Sequence, residues 1–431
     1  MGALGASNAG RLVLSLYFKA ILGIQRIFHF DTQQDPGFAI LTGGTKVLRR
    51  RRLGALLRLV SLAGVRRFMQ ATAPRLATAA CHWLSIDEHA IARFTRKFRI
   101  PKGFHTIRNK KMKIEKLTFV FDVVGRVLHA LVASPGDVSL AYLAKQLLAK
   151  MRRRARGATL RVILDAGAAH SHDELLDLVS RPRQVTLVRV PRRPAYRAAW
   201  NALPAEVWTP LEEPGPYLDA PPKPIAIAET RTAIHSKSRT TPVSARTIVI
   251  RETSSRGKHR WHALWVFGDE NTPAYELVRE FRTRQHHEQT YRIMLHDIHV
   301  DTAPSGYNKR SRHPERPGFQ QNALTLYAWI AALATNALQA FSLLLPSQFH
   351  RAHPRTLRRW FLFTPAELFL GHDTLIVLLK PKRLLPLWNF LVQRANQHHT
   401  RIPWLDNRRL ILSLDAPPAA HRPEVSSDPL G

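Results

Sequence analysis

Two short apolar runs in this sequence each end in an aspartate, and this feature constrains the fold more than any other. Residues 82–86 precede Asp87, and residues 160–164 precede Asp165. A third acid, Glu288, lies in a stripe of helical spacing whose other members are Leu277, Phe281, Arg284, Tyr291 and Leu295. Because burying a carboxylate is unfavourable unless it is paired or binds a metal, we expect folding to gather these acids into one site.

The chain is strongly basic. Its 431 residues include 65 Lys and Arg against 31 Asp and Glu, which gives a formal net charge of +34. This excess of cations indicates a polyanionic partner, of which DNA or RNA is the most direct choice. A basic protein of anionic membranes or of ribosomes is the alternative. Further candidate DNA contacts are Lys102, Lys110 and Lys111.

A single cysteine, Cys81, excludes an intramolecular disulfide and a thiolate-rich zinc site within this sequence. The apolar run over residues 12–22 is interrupted by Lys19 and no clear cleavage site follows it, so we expect no signal peptide. These features are typical of a protein of the reducing cytoplasm.

The most apolar stretch covers residues 323–346 and carries no formal charge. It is long enough to cross a membrane as a helix. Because it contains Asn336 and Gln339 and is flanked by dense charge, we expect a buried core helix instead. A membrane span stays the alternative.

Residues 80–190 alternate between strand and helix patterns. The predicted strands are 82–87, 116–122, 126–133, 159–164 and 184–190, and the predicted helices are 138–151 and 171–180. This order predicts an α/β fold with a ribonuclease H-like mixed sheet and flanking helices. In such a sheet the first and fourth of these strands are neighbours, so Asp87 and Asp165 would meet although they are distant in sequence.

The other regions are less regular. Residues 1–79 read as a helical, DNA-contacting region, although the basic run 49–52 is also compatible with an ordinary solvated helix face. Residues 191–270 are Pro-rich and predict a partly β insertion subdomain with a hairpin over 246–267. Residues 271–345 predict a catalytic helix (272–297), a loop (302–318) and core helices. Residues 346–415 predict a mostly helical region with room for one or two strands, and 416–431 a disordered tail.

Three carboxylates on rigid elements suit a site for Mg²⁺ or Mn²⁺, because these ions prefer hard oxygen ligands. Two such ions about 4 Å apart can activate an attacking oxygen and stabilise a leaving oxygen in phosphodiester chemistry. We therefore predict Asp87, Asp165 and Glu288 as catalytic metal ligands. Arg284 and Arg292 flank Glu288 at helical spacing and would hold a DNA phosphate or orient the glutamate. Ordinary ion pairs on a surface helix are the alternative.

Competing candidates are weaker. Asp122 falls at a predicted hairpin turn, where Asp is common for conformational reasons, and Asp137 is a further acid. Histidines lie near the predicted acids or at ligand-like spacing: His170, His172, His286, His287, His296 and His299. No phosphate-binding or dinucleotide-binding glycine motif is present, so ATP-driven chemistry is not indicated.

Three segments resemble DDE transposases of bacterial insertion sequences, in the subgroup with a Tyr-Arg-Glu-Lys motif. Residues 281–292 (FRTRQHHEQTYR) resemble the segment of the third acid, and residues 85–89 and 163–167 resemble those of the first and second. Arg284 and Glu288 match the motif, whereas Phe281 and Leu295 stand where it has Tyr and Lys. The similarity covers roughly residues 80–345.

The resemblance implies a ribonuclease H-like domain that uses Mg²⁺ or Mn²⁺ and binds terminal inverted repeats. It also implies hydrolysis at the ends of a mobile element, then attack of the freed 3′-hydroxyl on target DNA, in a synaptic complex of a homodimer. Such a protein would be cytoplasmic and nucleoid-associated. The alternatives are a non-catalytic DNA-binding protein derived from a transposase and a membrane-associated protein anchored by residues 323–346.

Overall fold

The computed structural model describes residues 6–33, 35–75, 83–94, 100–105, 108–155, 157–213, 223–253, 257–302, 317–350 and 352–415. The chain forms two compact units. The core unit contains Val65–Arg292 and Lys309–Leu333, and the terminal unit contains Met1–Gly64, Ile293–Asn308 and Ala334–Gly431. The domain boundaries predicted from the sequence divide the chain into consecutive regions, whereas each unit combines segments that are distant in sequence. Those boundaries therefore stay predictions.

The α-helices are α1 (Ala6–Leu22), α2 (Pro36–Leu41), α3 (Arg50–Arg58), α4 (Leu62–Thr72), α5 (Leu140–Ala155), α6 (His172–Val179), α7 (Pro194–Asn201), α8 (Ala274–Arg282), α9 (Gln285–Arg292), α10 (Pro317–Leu343), α11 (Pro354–Leu357) and α12 (Leu385–Gln397). The strands are β1 (Leu84–Ala92), β2 (Lys102–His105), β3 (Lys110–Asp122), β4 (Val127–Pro135), β5 (Leu160–Leu164), β6 (Gln184–Arg189), β7 (Thr209–Glu213), β8 (Lys223–Ile234), β9 (Val243–Thr253), β10 (His259–Phe267), β11 (Ala366–Leu370), β12 (Thr374–Leu379), β13 (Arg401–Ile402) and β14 (Arg408–Ser413).

A large mixed sheet organises the core unit, in the order β2-β3-β1-β5-β6-β10-β9-β8-β7, with β4 also paired to β3. Strand β1 is antiparallel to β3 and parallel to β5. The predicted order of strands and helices over residues 80–190 is thus confirmed, apart from β2, which the sequence did not reveal. The predicted contact between the first and fourth predicted strands, β1 and β5, is also confirmed.

Apolar periodicity explains how this sheet is covered. Helix α5 buries Leu140, Ala144, Leu147 and Met151, which recur every three or four residues along one face. These side chains join the same core cluster as the interior positions of β1 and β5. Strand β5 is buried along almost its whole length, which is expected of a parallel strand with both faces covered.

Strands β7–β10 form the β part of the predicted insertion. The predicted hairpin corresponds to β9 and β10, which pair antiparallel; residues 254–256 of its turn lie outside the described residues. Strand β10 also pairs with β6, with Leu264 opposite Arg189. These strands therefore extend the central sheet, and β9 and β10 reach the side of the site described below.

The long helix predicted over residues 272–297 is wrong in one respect, because it is interrupted. Helix α8 ends at Arg282, α9 begins at Gln285, and a π-helical turn follows over Ile293–Asp297. Between α8 and α9 the backbone hydrogen bonds shorten to three-residue spacing, from His286 N to Thr283 O (2.9 Å) and from His287 N to Arg284 O (2.8 Å). Arg284 therefore lies in the break between the two helices.

The terminal unit combines α1–α3 with a four-stranded sheet in the order β11-β12-β14-β13. The prediction for residues 346–415 allowed one or two strands in a mostly helical region, whereas the structure has four paired strands there. Strand β12 pairs in parallel with β14, and α12 connects them. Short apolar runs such as residues 374–379 are compatible with either helix or strand, so only the non-local pairing decides between them.

Helix α10 includes the most apolar stretch of the sequence. Within it, Asn322–Leu343 is long and apolar enough to cross a membrane, and 61% of its most apolar window is buried inside the protein. This burial favours the core helix expected from the sequence. Most of the predicted loop over 302–318 and all of the predicted tail over 416–431 lie outside the described residues.

Candidate active site

The register between β1 and β5 places the two aspartates together. Ile86 lies opposite Leu164, so Asp87 and Asp165 follow at the same end of the sheet. Asp87 continues within β1, whereas Asp165 comes directly after β5 and precedes a 3₁₀ turn over Ala166–Ala169. The prediction that these two residues meet on adjacent strands is confirmed; their chemical roles stay predictions.

Arg284 connects Asp87 to the third acid. Its Nη1 donates to Oδ2 of Asp87 (2.9 Å) and its Nη2 donates to Oε1 of Glu288 (2.8 Å). The side chain of Arg284 is 10% exposed, against 21% for Asp87 and 51% for Glu288. One buried guanidinium therefore gathers carboxylates that come from a strand and a helix.

Arg189 has the corresponding position beside Asp165, with Nη1 lying 3.5 Å from Oδ1. It ends β6, which is parallel to β5 and places Val188 opposite Leu164. Sequence reasoning missed Arg189, although the same rule that joined the aspartates applies to it. The ends of neighbouring parallel strands meet, and an arginine in that position is a candidate partner.

Burial and charge act in opposite directions at this site. Burial raises the pKa of Asp87 to about 7, an effect that Arg284 opposes and the nearby charge of Asp165 reinforces. Burial alone would lower the pKa of Arg284, but the carboxylates of Asp165, Asp87 and Glu288 raise it. Arg284 is therefore fixed as a cation, while the protonation of Asp87 is sensitive near neutral pH.

Aromatic contacts hold α9 against β1. The hydroxyl of Tyr291 donates to the backbone oxygen of Asp87 (2.8 Å). The ring of His287 stacks between Phe121 and Tyr291, with centroids 5.1 and 4.7 Å apart, and its Nδ1 lies 2.8 Å from Ser85 Oγ. Burial lowers the pKa of His287 to about 3, so the ring is neutral and supports the position of the helix.

A cavity of about 400 Å³ adjoins Arg284 and Glu288. Its other lining residues are Arg189, Ile250, Glu252, Arg260, His262, Phe281, Arg282 and Gln285. Strands β9 and β10 contribute one wall, which no local sequence pattern connected with the acids. Arg282 donates to Glu252 (2.7 Å), but arginines outnumber carboxylates in the wall. The cavity can therefore accept an anionic substrate beside the acids.

The competing acids have other positions. Asp122 ends β3 and accepts hydrogen bonds from the backbone of Val124 (3.0 Å) and Gly125 (2.9 Å), which is the conformational role expected at this turn. Asp137 is exposed in the connection between β4 and α5.

The histidines near the acids contact mainly the backbone. His286 Nδ1 lies 2.9 Å from the oxygen of Val123, and His170 and His172 contact the oxygens of Ala166 (3.3 Å) and His235 (2.7 Å). These contacts are structural. His296 and His299 belong to the terminal unit.

The remaining predicted DNA contacts are exposed cations. Lys102 lies in β2, and Lys110 and Lys111 begin β3, where they pair with His105 and Phe104. Arg292 is exposed at the end of α9. These positions are accessible to a polyanion, and binding of DNA there stays a prediction.

The arrangement of the three acids does not by itself form a metal site. Among the residues that the structure describes, no group of three or more His, Cys, Asp or Glu side chains could hold a metal ion. The donor oxygens are of the type that Mg²⁺ prefers, but the guanidinium of Arg284 lies between Asp87 and Glu288. In the conformation described, Arg284 therefore pairs with one oxygen of each of these two acids.

Neither a protein-family model nor a curated protein matches this chain. Among solved structures, the chain is similar to the cryo-EM structure of a piggyBac transposase synaptic complex with hairpin DNA. The alignment has a TM-score of 0.41 and 10% sequence identity, and it covers 81% of this chain and 70% of that chain. This similarity is too weak to carry an argument, so function has to be inferred from the geometry of the site.

Proposed function

We propose that this protein is a DNA transposase of the DDE type, which hydrolyses phosphodiester bonds at the ends of a mobile element and joins the freed 3′-hydroxyl to target DNA. The observation that carries the proposal is the pairing of β1 with β5. It sets Asp87 and Asp165 side by side, and Arg284 connects Asp87 with Glu288.

The sheet supports a ribonuclease H-like core. Strands β4, β3 and β1 are consecutive antiparallel neighbours, and β5 and β6 continue in parallel. This is the layout predicted from the sequence for a ribonuclease H-like domain, with its acids at the sheet end where β1 and β5 meet. Strands β7–β10 then take the place of the insertion expected in such transposases.

Charge supports DNA as the substrate. The net charge of +34 and the arginine-rich cavity beside the acids suit a phosphate backbone. In the proposed reaction the oxygen of water attacks the phosphorus and the 3′-oxygen of the element leaves as a hydroxyl. That hydroxyl then attacks a target phosphodiester and displaces its 3′-oxygen.

A divalent cofactor, Mg²⁺ or Mn²⁺, belongs to the proposal and would supply charge stabilisation at the reacting oxygens. Asp87, Asp165 and Glu288 would hold the ion, and in the conformation described Arg284 pairs with Asp87 and Glu288. Terminal inverted repeats, a homodimeric synaptic complex and a cytoplasmic, nucleoid-associated location are further parts of the proposal.

The test is nicking of DNA that carries the sequences flanking this gene, with full-length protein and Mn²⁺. We expect Asp87→Asn to abolish nicking and to leave DNA binding intact, whereas Asp137→Asn, at an exposed acid outside the site, should nick normally. Wild-type protein that binds these ends but never nicks them would exclude the enzyme.

That outcome would favour the second candidate, a non-catalytic DNA-binding protein derived from a transposase. The contacts of Arg284 with Asp87 and Glu288 are the observation that favours it, since they pair two acids with a side-chain cation in place of a metal. The two candidates predict the same DNA binding and differ in cleavage alone.

A further inference from the structure

The terminal unit contains a second place that is suited to nucleic acid. A cavity of about 350 Å³ lies among the π-helical turn Arg358–Leu362, the residues after β12 and the start of α12. Its lining residues are Arg359, Trp360, Phe363, Thr364, Pro365, Lys380, Pro381, Lys382, Arg383 and Trp388, and we name it the aromatic groove.

Charge in the aromatic groove is of one sign. Four of its lining residues are cations, Arg359, Lys380, Lys382 and Arg383, and no carboxylate is found among the described residues that line it. Lys380 forms an ion pair with Glu367 of β11, outside the lining. The groove therefore has a surplus of positive charge that a polyanion would neutralise.

Two aromatic rings in this groove are accessible. Trp360 is 36% exposed and Phe363 is 58% exposed. The guanidinium of Arg383 lies over the Trp360 ring, 5.8 Å from its centroid. Beneath them, buried Trp388 contacts Phe361 with centroids 5.9 Å apart. Proteins stack unpaired bases on exposed aromatic rings that lie among cations and are supported by packed side chains.

The backbone that presents these side chains is firmly attached. Arg358, which begins the π-helical turn, donates to the carbonyl oxygens of Ile21 (2.6 Å) and Ala20 (2.9 Å) at the end of α1. Gly23 has a left-handed φ of +69°, and a Cβ there would lie 2.5 Å from the Arg358 guanidinium. The glycine thus permits the close approach that fixes the turn, and π-helical turns are frequent at functional sites.

A neighbouring cavity of about 650 Å³ extends the basic surface. Arg359 and Phe363 line both cavities, and Arg355, His296 and His299 line the second. Its carboxylate, Asp297, is buried and lies 3.7 Å from Arg355 and 3.8 Å from His353. Cations therefore continue beyond the aromatic groove.

We propose that the aromatic groove binds single-stranded DNA, with bases stacked on Trp360 and Phe363 and phosphates held by Arg359, Lys380, Lys382 and Arg383. The face of a base is covered by its neighbours in a duplex but is free in a single strand. A concave groove also differs from the protruding helix or ribbon that reads a duplex major groove. The choice of DNA over RNA rests on the proposed function.

The experiment measures fluorescence anisotropy of a labelled twelve-nucleotide oligo(dT) and of a twelve-base-pair duplex, with full-length protein in EDTA. We expect Trp360→Ala to weaken binding of the single strand about tenfold and binding of the duplex less than twofold, because stacking on aromatic rings supports the single strand alone. Phe363→Ala should act in the same direction.

The chain offers a matched control at Phe390 and Arg394. Phe390 is also exposed (47%) and has a guanidinium over its ring, 6.0 Å away, but it does not line the groove. Phe390→Ala should bind both probes like wild type. Equal losses for single strand and duplex, or a loss for Phe390→Ala as large as for Trp360→Ala, would overturn the proposal.

Two further arms separate other ligands and other failures. Tighter binding of a twelve-nucleotide oligo(U), or binding of anionic vesicles that Trp360→Ala abolishes, would assign the groove to RNA or to a membrane surface. Unfolding temperatures of all variants exclude loss of fold as the cause. Since no cleavage is measured, a protein that fails the nicking test can still pass this one.

Discussion

The acidic site of the core unit and the aromatic groove of the terminal unit differ in how their charged side chains are paired. At the acidic site each carboxylate has an arginine in place, Arg284 for Asp87 and Glu288 and Arg189 for Asp165. In the aromatic groove four cations share a wall without a carboxylate among its described lining residues. At the acidic site the carboxylates are thus paired within the protein, whereas the groove has an excess of cations that an external anion could pair with.

This difference explains why the charges are buried at the acidic site and exposed in the aromatic groove. Neutralised charges can be buried, and Arg284 is only 10% exposed. Unneutralised charges stay at the surface, as Lys382 and Arg383 do. Mutations at the acidic site should therefore change stability and metal affinity, while mutations in the groove should change binding alone.

Removing Arg284 should have the largest effect. Arg284→Gln leaves Asp87 buried without its partner, so we expect the free energy of unfolding to fall by about 3–5 kcal/mol in urea denaturation. The matched change at the exposed neighbour, Arg292→Gln, should cost less than about 0.5 kcal/mol. Adding Asp87→Asn to Arg284→Gln should restore much of the loss; an unchanged double variant would show that the ion pair is not the cause.

Lys19 tests the cost of burying a charge in the terminal unit. It is fully buried, and burial lowers its pKa to about 7, although Asp301 opposes this shift. The unfolded chain therefore binds more protons between pH 7 and pH 10.5, so stability rises with pH across that window. We expect a rise of about 2–3 kcal/mol from pH 7 to pH 9 that Lys19→Met lacks.

That pH dependence is measured by urea denaturation of both proteins at each pH. Since other groups also titrate, the decisive quantity is the difference between wild type and Lys19→Met. Parallel pH profiles would show that Lys19 stays charged in the folded protein.

Competition between Arg284 and a metal ion for the carboxylates should give a smaller effect, which is measured as a change in Mn²⁺ affinity. We expect Arg284→Gln to bind Mn²⁺ about tenfold more tightly than wild type without DNA, in isothermal titration calorimetry. The reason is that the variant removes a cation from the three carboxylates, and electrostatic coupling of this size is ordinary at partly buried sites. Arg292→Gln is the control, and equal affinities in all three proteins would contradict the competition.

The smallest expected effect concerns salt. Lys382→Gln combined with Arg383→Gln should reduce the slope of log affinity against log salt for oligo(dT) by about 1.4, since two phosphate contacts are lost. The same pair of changes should leave the unfolding temperature unaltered. A slope identical to wild type would place the phosphates elsewhere.

Sequence reasoning found the acids because a general rule applies to them. Asp87 and Asp165 each follow an apolar run, and equivalent positions of adjacent parallel strands lie side by side. Arg189 obeys the same rule but was overlooked, because an arginine at a strand end is common in so basic a chain. Helical spacing predicted that Arg284 lies near Glu288, but its contact with Asp87 of β1 depends on tertiary packing, which helical periodicity does not reveal.

The aromatic groove was beyond sequence reasoning for a different reason. Its residues come from a π-helical turn, from the residues that follow β12 and from α12, and each segment alone is unremarkable. The sheet that brings them together depends on the parallel pairing of β12 with β14. Local propensity contains no information about such pairing, so the prediction for residues 346–415 allowed one or two strands but not their assembly into a sheet.

The division of the terminal unit among three segments has a consequence for synthesis. Helices α1–α3 belong to the same unit as Ala334–Gly431. The carbonyl oxygens of Ala20 and Ile21 at the end of α1 accept hydrogen bonds from Arg358, which is synthesised more than 300 residues later. The end of α1 therefore acquires this partner only late in translation, and a product truncated before Arg358 would lack it.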